Sequence, residues 1–402
     1  MPVTWIDNCR IYDVHAGAFR GGALKVESGR IAEIVDGSAP RDGARIDLGG
    51  QYVLPGFFDC HVHICMRTEA ADANDVWRGA LPGTIAIYAA EAAKRMLHAG
   101  ITTARDVGGW DYHEIAVREA INAGLIEGPR IHCAGRLLSI TSSTTPYYRG
   151  MYEEADGPDQ VRRAARKQLS MGADLIKMLV TGALTSSRYE RADAIQYRPE
   201  EIRAAVEIAE DNYTYVAAHA HALQGISNAV EAGCRSIEHG SCGNEAVYRL
   251  MAKRGTFLVP TVCIMPAMFS DAGFVASVPD HIRERYQAAH ETHVRNLQLA
   301  HRCGVTIAMG TDAGTPGNHC GRNMLEMQVM VEKGGLSPAE AIRAATLNGA
   351  RLMRLDSDLG SIEPDKIADL IAMSENPLED IRALFNVSFV MKEGRVVRNE
   401  NV

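Results

Sequence analysis

The feature that most constrains the fold of this chain is a regular alternation of strand-like and helix-like segments through its middle. Short apolar runs that end in polar residues recur there, and helical patterns separate them. The clearest helical pattern, 84–98, is rich in strong helix formers and is followed by Ala99 and Gly100, which predicts that a helix ends there. Eight such units in about 300 residues predict a (β/α)8 barrel of the TIM type.

An open, doubly wound sheet would show the same alternation of elements. No GxGxxG run follows an early predicted strand, and this absence disfavours the open sheet. In a (β/α)8 barrel the catalytic residues lie at the carboxyl ends of the strands. Polar residues at those ends are therefore the first ones to consider for function.

Both ends of the chain resemble short strands joined by tight turns. LKVE and RIAEIV flank the turn at 28–29, and SFVMK and RVV flank the turn at 393–394, which predicts two hairpins. We expect residues 1–55 and 359–402 to build one small β-sandwich domain beside a barrel of residues 56–358. The predicted fold class is α/β, a TIM-like barrel with a β-sandwich formed by both chain ends.

Composition narrows the classes of function. The chain has 402 residues, and 42 Lys and Arg against 50 Asp and Glu leave a net charge of −8, which disfavours nucleic-acid binding. We see no secretory signal and no apolar stretch long enough to span a bilayer. The nine cysteines are scattered and form no CxxC pair, as in reduced cytoplasmic proteins. We expect a cytoplasmic protein without nucleic-acid or membrane partners, and homo-oligomerisation stays open.

Two histidines that are two positions apart follow the first apolar run of the middle region. On a strand, His61 and His63 would point to the same side and could hold one cation together. Neutral imidazole suits zinc and related first-row metals. Such a pair also arises without a metal, so the pair alone does not establish a site.

Further side chains of the metal-ligating type occur at the ends of other predicted strands, namely Lys177, His219, His239 and Asp312. Taken singly, the lysine could reach solvent at the barrel rim, the aspartate could cap a helix, and each histidine could be a bonded core residue. A lysine inside a buried strand is costly unless it is paired or chemically altered, for example by carbamylation. Their shared position on several strands predicts one metal centre.

Several segments together resemble the amidohydrolase superfamily, and specifically its imidazolonepropionase-like group of metal-dependent dipeptidases and carboxypeptidases. The resemblance covers essentially the whole chain. The matching segments are LPGFFDCHVH at 54–63, GITTARD at 100–106, IK at 176–177, AHAH at 218–221, SIEHG at 236–240, GTD at 310–312, AATLNGA at 344–350 and IADL at 367–370.

This resemblance implies a binuclear centre of two divalent ions, which we expect to be Zn²⁺. His61, His63 and Asp312 would bind the first ion. His219 and His239 would bind the second, and carbamylated Lys177 would bridge both. Asp312 is also the expected catalytic residue, because a carboxylate in reach of the attacking water can accept its proton and pass it to the leaving nitrogen.

Three further residues are predicted to contact substrate. His221 shares a strand face with His219 but lies further along the chain, and Arg188 and Tyr189 lie in a stretch, 181–197, that could form a lid. We expect an enzyme that releases a C-terminal amino acid from a dipeptide or an N-acyl amino acid. Alternatives are hydrolysis of a cyclic amide or of a xenobiotic amide or carbamate, and a catalytically inactive barrel scaffold. The scaffold should have lost metal ligands, and none is missing here.

Overall fold

The structure is a computed structural model that describes residues 3–40, 43–69, 77, 79–142, 144–183, 191–278 and 280–400. Its strands are β1 (Thr4–Asp13), β2 (Ala18–Glu27), β3 (Arg30–Asp36), β4 (Ala44–Pro55), β5 (Phe57–Val62), β6 (Ile101–Asp106), β7 (Arg130–Cys133), β8 (Leu137–Ser139), β9 (Tyr152–Glu154), β10 (Ile176–Leu179), β11 (Val216–Ala222), β12 (Ser236–Cys242), β13 (Phe257–Val259), β14 (Leu370–Met373), β15 (Phe389–Lys392) and β16 (Arg395–Asn399). Its helices are α1 (Pro82–His98), α2 (His113–Asn122), α3 (Pro158–Ser170), α4 (Pro199–Asp211), α5 (Leu223–Ala232), α6 (Glu245–Arg254), α7 (Ile264–Ser270), α8 (Ala272–Ser277), α9 (Asp280–Arg302), α10 (Leu325–Glu332), α11 (Pro338–Arg343) and α12 (Gly349–Leu352).

Parallel strands form the middle of the chain. One sheet has the order β13-β12-β11-β10-β8-β9, and a second has the order β5-β6-β7. β5, β6 and β10 are buried along their whole length, as expected of parallel strands that are covered on both faces. Because helices alternate with these strands along the chain, the α/β class is confirmed.

The eighth predicted strand, 306–312, is not a regular strand. Ile307 forms an isolated parallel bridge with Leu258, and Ala313 forms another with Val62. The segment therefore lies between β13 and β5. It forms backbone hydrogen bonds with both of them, but it makes only an isolated bridge on each side instead of a continuous ladder. Within the described ranges no ladder joins β7 to β8 or β10, so the closed barrel stays a prediction.

The two chain ends meet in a seven-stranded sheet with the order β16-β15-β14-β4-β1-β2-β3. Both predicted hairpins are confirmed, since β2 pairs with β3 and β15 pairs with β16 in antiparallel register. Ser28 and Gly29 have φ angles of +52° and +81°, which is the left-handed backbone of a two-residue hairpin turn. The sandwich arrangement and the domain limits stay predictions.

Helix α1 confirms the strongest helical prediction. It ends at His98, and Gly100 adopts a φ of +100° just beyond it, where a glycine meets no side-chain clash. The helix begins at Pro82, two residues before the predicted start, because the fixed φ of proline suits a first helical turn. In the described part of the chain, no helix combines the length and the apolar character needed to cross a membrane.

Candidate active site

A cavity of about 450 Å³ opens near the carboxyl ends of the parallel strands. Among its lining residues are all the predicted site residues that the structure describes, namely His61, His63, Lys177, His219, His221, His239 and Asp312. Each of these seven residues is at most 9% exposed. Segments that are far apart in the sequence thus bring their ligand-type side chains to one place, as expected at the carboxyl ends of the strands in a (β/α)8 barrel.

The predicted strand ends need one correction. His219 and His239 were expected to end their strands, yet β11 continues to Ala222 and β12 continues to Cys242. The reason is that the two strands keep pairing beyond the histidines, where Ala222 lies opposite Cys242 after a register shift. The histidines therefore lie inside the strands, on rigid backbone.

Three side chains form what we call the first ligand group: His61, His63 and Asp312. Their ligand atoms lie within 4.8 Å of one another. Asp312 Oδ1 is 3.5 Å from His61 Nε2 and 3.4 Å from His63 Nε2. This oxygen is buried and has no hydrogen-bond partner among the described residues, and burial raises the pKa of Asp312 to about 7. A cation between these atoms would satisfy the otherwise unpaired carboxylate oxygen.

His219, His221 and His239 form what we call the second ligand group, again with ligand atoms within 4.8 Å of one another. Burial lowers the pKa of all three imidazoles, which keeps them neutral and able to donate a lone pair to a metal. The ring centroids of His61 and His239 are 4.9 Å apart, so the two groups adjoin. The assignment of His221 to substrate stays a prediction, and its position also suits a metal ligand.

Hydrogen bonds orient the imidazoles of the first ligand group. His61 Nδ1 lies 2.8 Å from Glu238 Oε2, and His63 Nδ1 lies 2.9 Å from the carbonyl oxygen of Gly108. These contacts leave Nε2 of each ring free for a ligand. Arg105 donates to Glu238 Oε1 at 2.8 Å. Burial opposes ionisation of Glu238, but Arg105 and His61 together hold the pKa of that carboxyl below its usual range.

In the second ligand group, hydroxyl groups take the place of the carboxylate. His239 Nδ1 lies 2.7 Å from Thr261 Oγ1, and His221 Nδ1 lies 2.7 Å from Ser241 Oγ. A hydroxyl fixes the orientation of a ring without adding negative charge.

Sequence reasoning did not assign a role to Arg105, Glu238 or Asp59. Asp59 accepts hydrogen bonds at 2.6 Å from both Thr311 Oγ1 and Asn323 Nδ2, and thereby ties β5 to the segment that carries Asp312. All three charged residues are fully buried within strands. That was the available signal, because a buried charge requires a partner.

The backbone is strained at three buried residues that line the cavity. His239, Thr261 and Asp312 have φ angles of +68°, +54° and +59°. A residue other than glycine in such a conformation costs roughly 1–3 kcal/mol, and such residues concentrate at functional sites. The rest of the fold must therefore hold these two candidate ligand residues, and the threonine that contacts one of them, in place.

The predicted lid is described only at its ends. Arg188 and Tyr189 lie outside the described residues. Arg191 is exposed and pairs with Asp193 at 2.6 Å, so it does not line the cavity.

Comparison with known proteins matches residues 52–397 to the model of the amidohydrolase family. Ochratoxinase from Aspergillus niger is 32% identical over 376 residues, which cover 87% of this chain and 76% of that protein. Imidazolonepropionase from Aromatoleum aromaticum is 28% identical over 388 residues, which cover 88% of this chain and 85% of that protein. The crystal structure of a Xaa-Pro dipeptidase with bound methionine in its active site matches with a TM-score of 0.89 and 32% identity, over 99% of this chain and 100% of that one.

Proposed function

We propose, from the premise that this chain belongs to the amidohydrolase family and hydrolyses carbon–nitrogen bonds, that it releases a C-terminal amino acid from a dipeptide or an N-acyl amino acid. One observation carries the proposal: two groups of buried ligand-type side chains adjoin in one cavity. The proposal includes a closed (β/α)8 barrel of residues 56–358 with a β-sandwich domain from both chain ends.

Both ligand groups fit a divalent metal ion, and their imidazole and carboxylate donors suit zinc. The unpartnered Oδ1 of Asp312 and the neutral imidazoles supply the lone pairs that such an ion requires. When bound, two such ions would activate water and polarise the scissile carbonyl.

The charge of the site favours a carbamylated Lys177. The first ligand group contains one carboxylate and the second contains only neutral imidazoles, so two divalent ions would leave a large positive charge in a buried cavity. A lysine cation beside them would add to it. Burial lowers the pKa of Lys177 to about 8, which increases the fraction of neutral amine that can add to carbon dioxide. Release of a proton then leaves a carbamate anion that could bridge the two groups.

Asp312 is the proposed proton carrier. Its carboxylate would accept a proton from the attacking water and deliver it to the leaving amide nitrogen. A carboxylate can take up a proton in one step and release it in the next, which both halves of this transfer require.

The substrate assignment draws on a relative found by structure and on a relative found by sequence. The structural match is a Xaa-Pro dipeptidase, which supports a dipeptide. A second candidate, a cyclic or xenobiotic amide or a carbamate, is favoured by the apolar side chains of the cavity and by the relative that is named for ochratoxin. The inactive scaffold is disfavoured, because the described residues retain both ligand groups.

Elemental analysis and a substrate screen test the proposal together. We expect two metal ions per fully active chain, and one or fewer would count against the binuclear centre. Zinc-loaded enzyme would be screened with dipeptides, N-acyl amino acids and cyclic amides. Release of the free amino acid is the readout for the first two classes, and gain of one water in the ring-opened product is the readout for the cyclic amides. Activity confined to cyclic amides would favour the second candidate, and a metal-free, inactive chain would favour the scaffold.

A further inference from the structure

Two turns beside the ligand groups contain strained residues that neighbouring contacts have to hold in place. Thr261, which contacts His239, follows β13, and Asp312 ends the segment between β13 and β5. The left-handed φ angles of Thr261 and Asp312 are +54° and +59°. A β-branched residue such as threonine is rarely found in this conformation. The start of α10 supplies contacts to both turns.

Glu326, in the first turn of α10, holds the chain directly after Thr261. Its side chain is fully buried, and its two carboxyl oxygens accept hydrogen bonds from the backbone N–H groups of Val262 at 3.0 Å and Cys263 at 2.7 Å. Burial raises the pKa of Glu326 to about 8, which shows that this place is unfavourable for a carboxylate. The two hydrogen bonds fix the path of the backbone at the residues that follow Thr261.

Thr261 passes this restraint on to the second ligand group. Its Oγ1 lies 2.7 Å from His239 Nδ1. Because a β-branched side chain has few allowed rotamers, the backbone of Thr261 decides where its hydroxyl points. A shift of the turn would therefore change the orientation of the His239 ring, on which its value as a metal ligand depends.

Asn323, two residues before α10, reaches the first ligand group through another buried carboxylate. Its Nδ2 donates to Asp59 Oδ2 at 2.6 Å. The same Asp59 side chain accepts hydrogen bonds from Thr311 Oγ1 at 2.6 Å and from the backbone N–H of His61 at 3.1 Å. Thr311 directly precedes Asp312. Asn323 thus supports the point where two segments of the first ligand group are joined.

We propose that Asn323 and Glu326 are positioning residues that hold the two candidate metal sites from the start of α10. Asn323 acts on the first ligand group through Asp59, and Glu326 acts on the second through Thr261. This inference rests on the proposed function, because it concerns the two metal ions. Neither Asn323 nor Glu326 lines the cavity, so their effect on an ion passes through the residues that they contact. Attachment to one helix keeps the spacing of the two ligand groups fixed.

The test measures both zinc dissociation constants of each variant by competition with a chelating indicator, so that metal binding is read without activity. Glu326→Gln keeps the size of the side chain but has one acceptor oxygen for two N–H groups. We expect it to weaken the second ion by roughly tenfold, the lower end of the range for loss of an orienting partner, and the first by less than roughly threefold. Asn323→Ala should show the reverse pattern.

Glu332→Gln is the matched control, because Glu332 is exposed at the far end of the same helix. It should change neither zinc dissociation constant. Melting curves show which variants fold. Glu326→Asp, whose shorter side chain cannot reach both N–H groups, takes the place of Glu326→Gln if that variant does not fold. If neither Glu326 variant folds, the residue is structural and the inference fails.

Combination with Thr261→Val shows which ion each residue supports. Glu326 and Thr261 act in series, so their double variant should bind the second ion no more weakly than the weaker single variant does. Asn323→Ala and Thr261→Val act on different ions, so both losses should appear in full in that double variant.

Equal weakening of both ions by either single variant, or a lower melting temperature without a change in either constant, would overturn the inference while the metal centre stands. Full additivity of Glu326→Gln with Thr261→Val would also overturn it. A wild-type chain that binds fewer than two zinc ions would instead overturn the proposed binuclear centre, and this inference with it.

Discussion

The two ligand groups adjoin, but different chemistry supports them. In the first group, His61 contacts the carboxylate of Glu238, which in turn accepts a hydrogen bond from Arg105. In the second group, His239 Nδ1 lies 2.7 Å from the hydroxyl of Thr261. A carboxylate raises the basicity of the imidazole that it orients, whereas a hydroxyl orients without adding charge.

This difference predicts that the groups depend on different residues for their metal. The first group contains its own anion, Asp312, and its His61 contacts the charged carboxylate of Glu238. The second group contains neutral imidazoles, so it would depend on an anion from elsewhere. Lys177 lines the same cavity, and its proposed carbamate would supply that anion. Each of the following variants tests that contrast, beginning with the largest expected effect.

Lys177→Ala should lower kcat by roughly a thousandfold or more, since the stabilisation of transition-state charge by metal ions amounts to several kcal/mol. The second group should lose its ion before the first does. Short carboxylic acids such as acetate should restore part of the rate by replacing the bridging carboxylate, while leaving the wild-type rate unchanged. Full activity of Lys177→Ala without added acid would mean that the lysine is only structural.

Asp312→Asn should retain much of its metal, because the amide keeps one ligating oxygen of similar size. It should lose at least roughly a hundredfold in kcat, the lower end of the range for general acid–base catalysis, because it cannot take up the proton. Elemental analysis and steady-state kinetics of the same preparation separate the two roles. Near-normal turnover would remove Asp312 as the proton carrier.

Glu238→Gln and Thr261→Val compare the two side chains that orient a histidine, Glu238 for His61 in the first group and Thr261 for His239 in the second. Loss of an orienting partner costs roughly 10–100-fold in metal affinity or activity. We expect Glu238→Gln at the upper end of that range, because it also leaves Arg105 buried without its carboxylate partner. Thr261→Val should be nearer the lower end. Metal dissociation constants measure both, and equal losses would erase the proposed difference between the groups.

His221→Ala decides whether the second group uses two or three of its imidazoles. If His221 contacts substrate, as we predict, KM should rise roughly twofold to tenfold, which is the range for one hydrogen bond. Metal content should stay at the wild-type value. Loss of one ion per chain would instead assign His221 to the metal, as its place in the group allows.

Glu114→Gln should have the smallest effect, and the effect is on stability. Glu114 lies near the first ligand group, and the substitution should change how stability depends on pH. Glu114 packs against Gly109, next to the Gly108 carbonyl that orients His63. Burial, reinforced by Asp106, raises its pKa to about 8 in the folded protein, whereas an unfolded chain titrates near its usual value.

The folded state therefore keeps a proton that the unfolded state releases between these values, so wild-type stability should fall as the pH rises toward 8. Glu114→Gln should remove that loss. The difference in Tm between variant and wild type should be small near pH 4 and grow in favour of the variant up to about pH 8. A difference that is independent of pH would contradict the assignment.

The predictable part of the site consists of residues whose chemistry shows in their own segment. The spacing of His61 and His63, and of His219 and His221, places each pair on one face of a strand, because side chains alternate along any strand. The α/β class and both hairpins were likewise predicted from short runs of neighbouring residues, namely apolar runs and turn residues. The sequence alone also singled out Lys177, because a lysine inside a buried strand is costly. Asp312 became a candidate through its place among the strand ends and through the family resemblance.

Only the tertiary structure decided which distant residues meet. Arg105 and Glu238 are 133 positions apart, and nothing local to either predicts their pairing. Three other features could not be predicted from local sequence either. They are the grouping of His221 with the metal-ligand candidates, the interruption of the eighth strand, and the burial of the His290 ring nitrogens without a hydrogen-bond partner among the described residues. Side-chain alternation is set by the nearest neighbours along the chain, whereas the partner of a buried polar atom depends on how whole strands and helices pack.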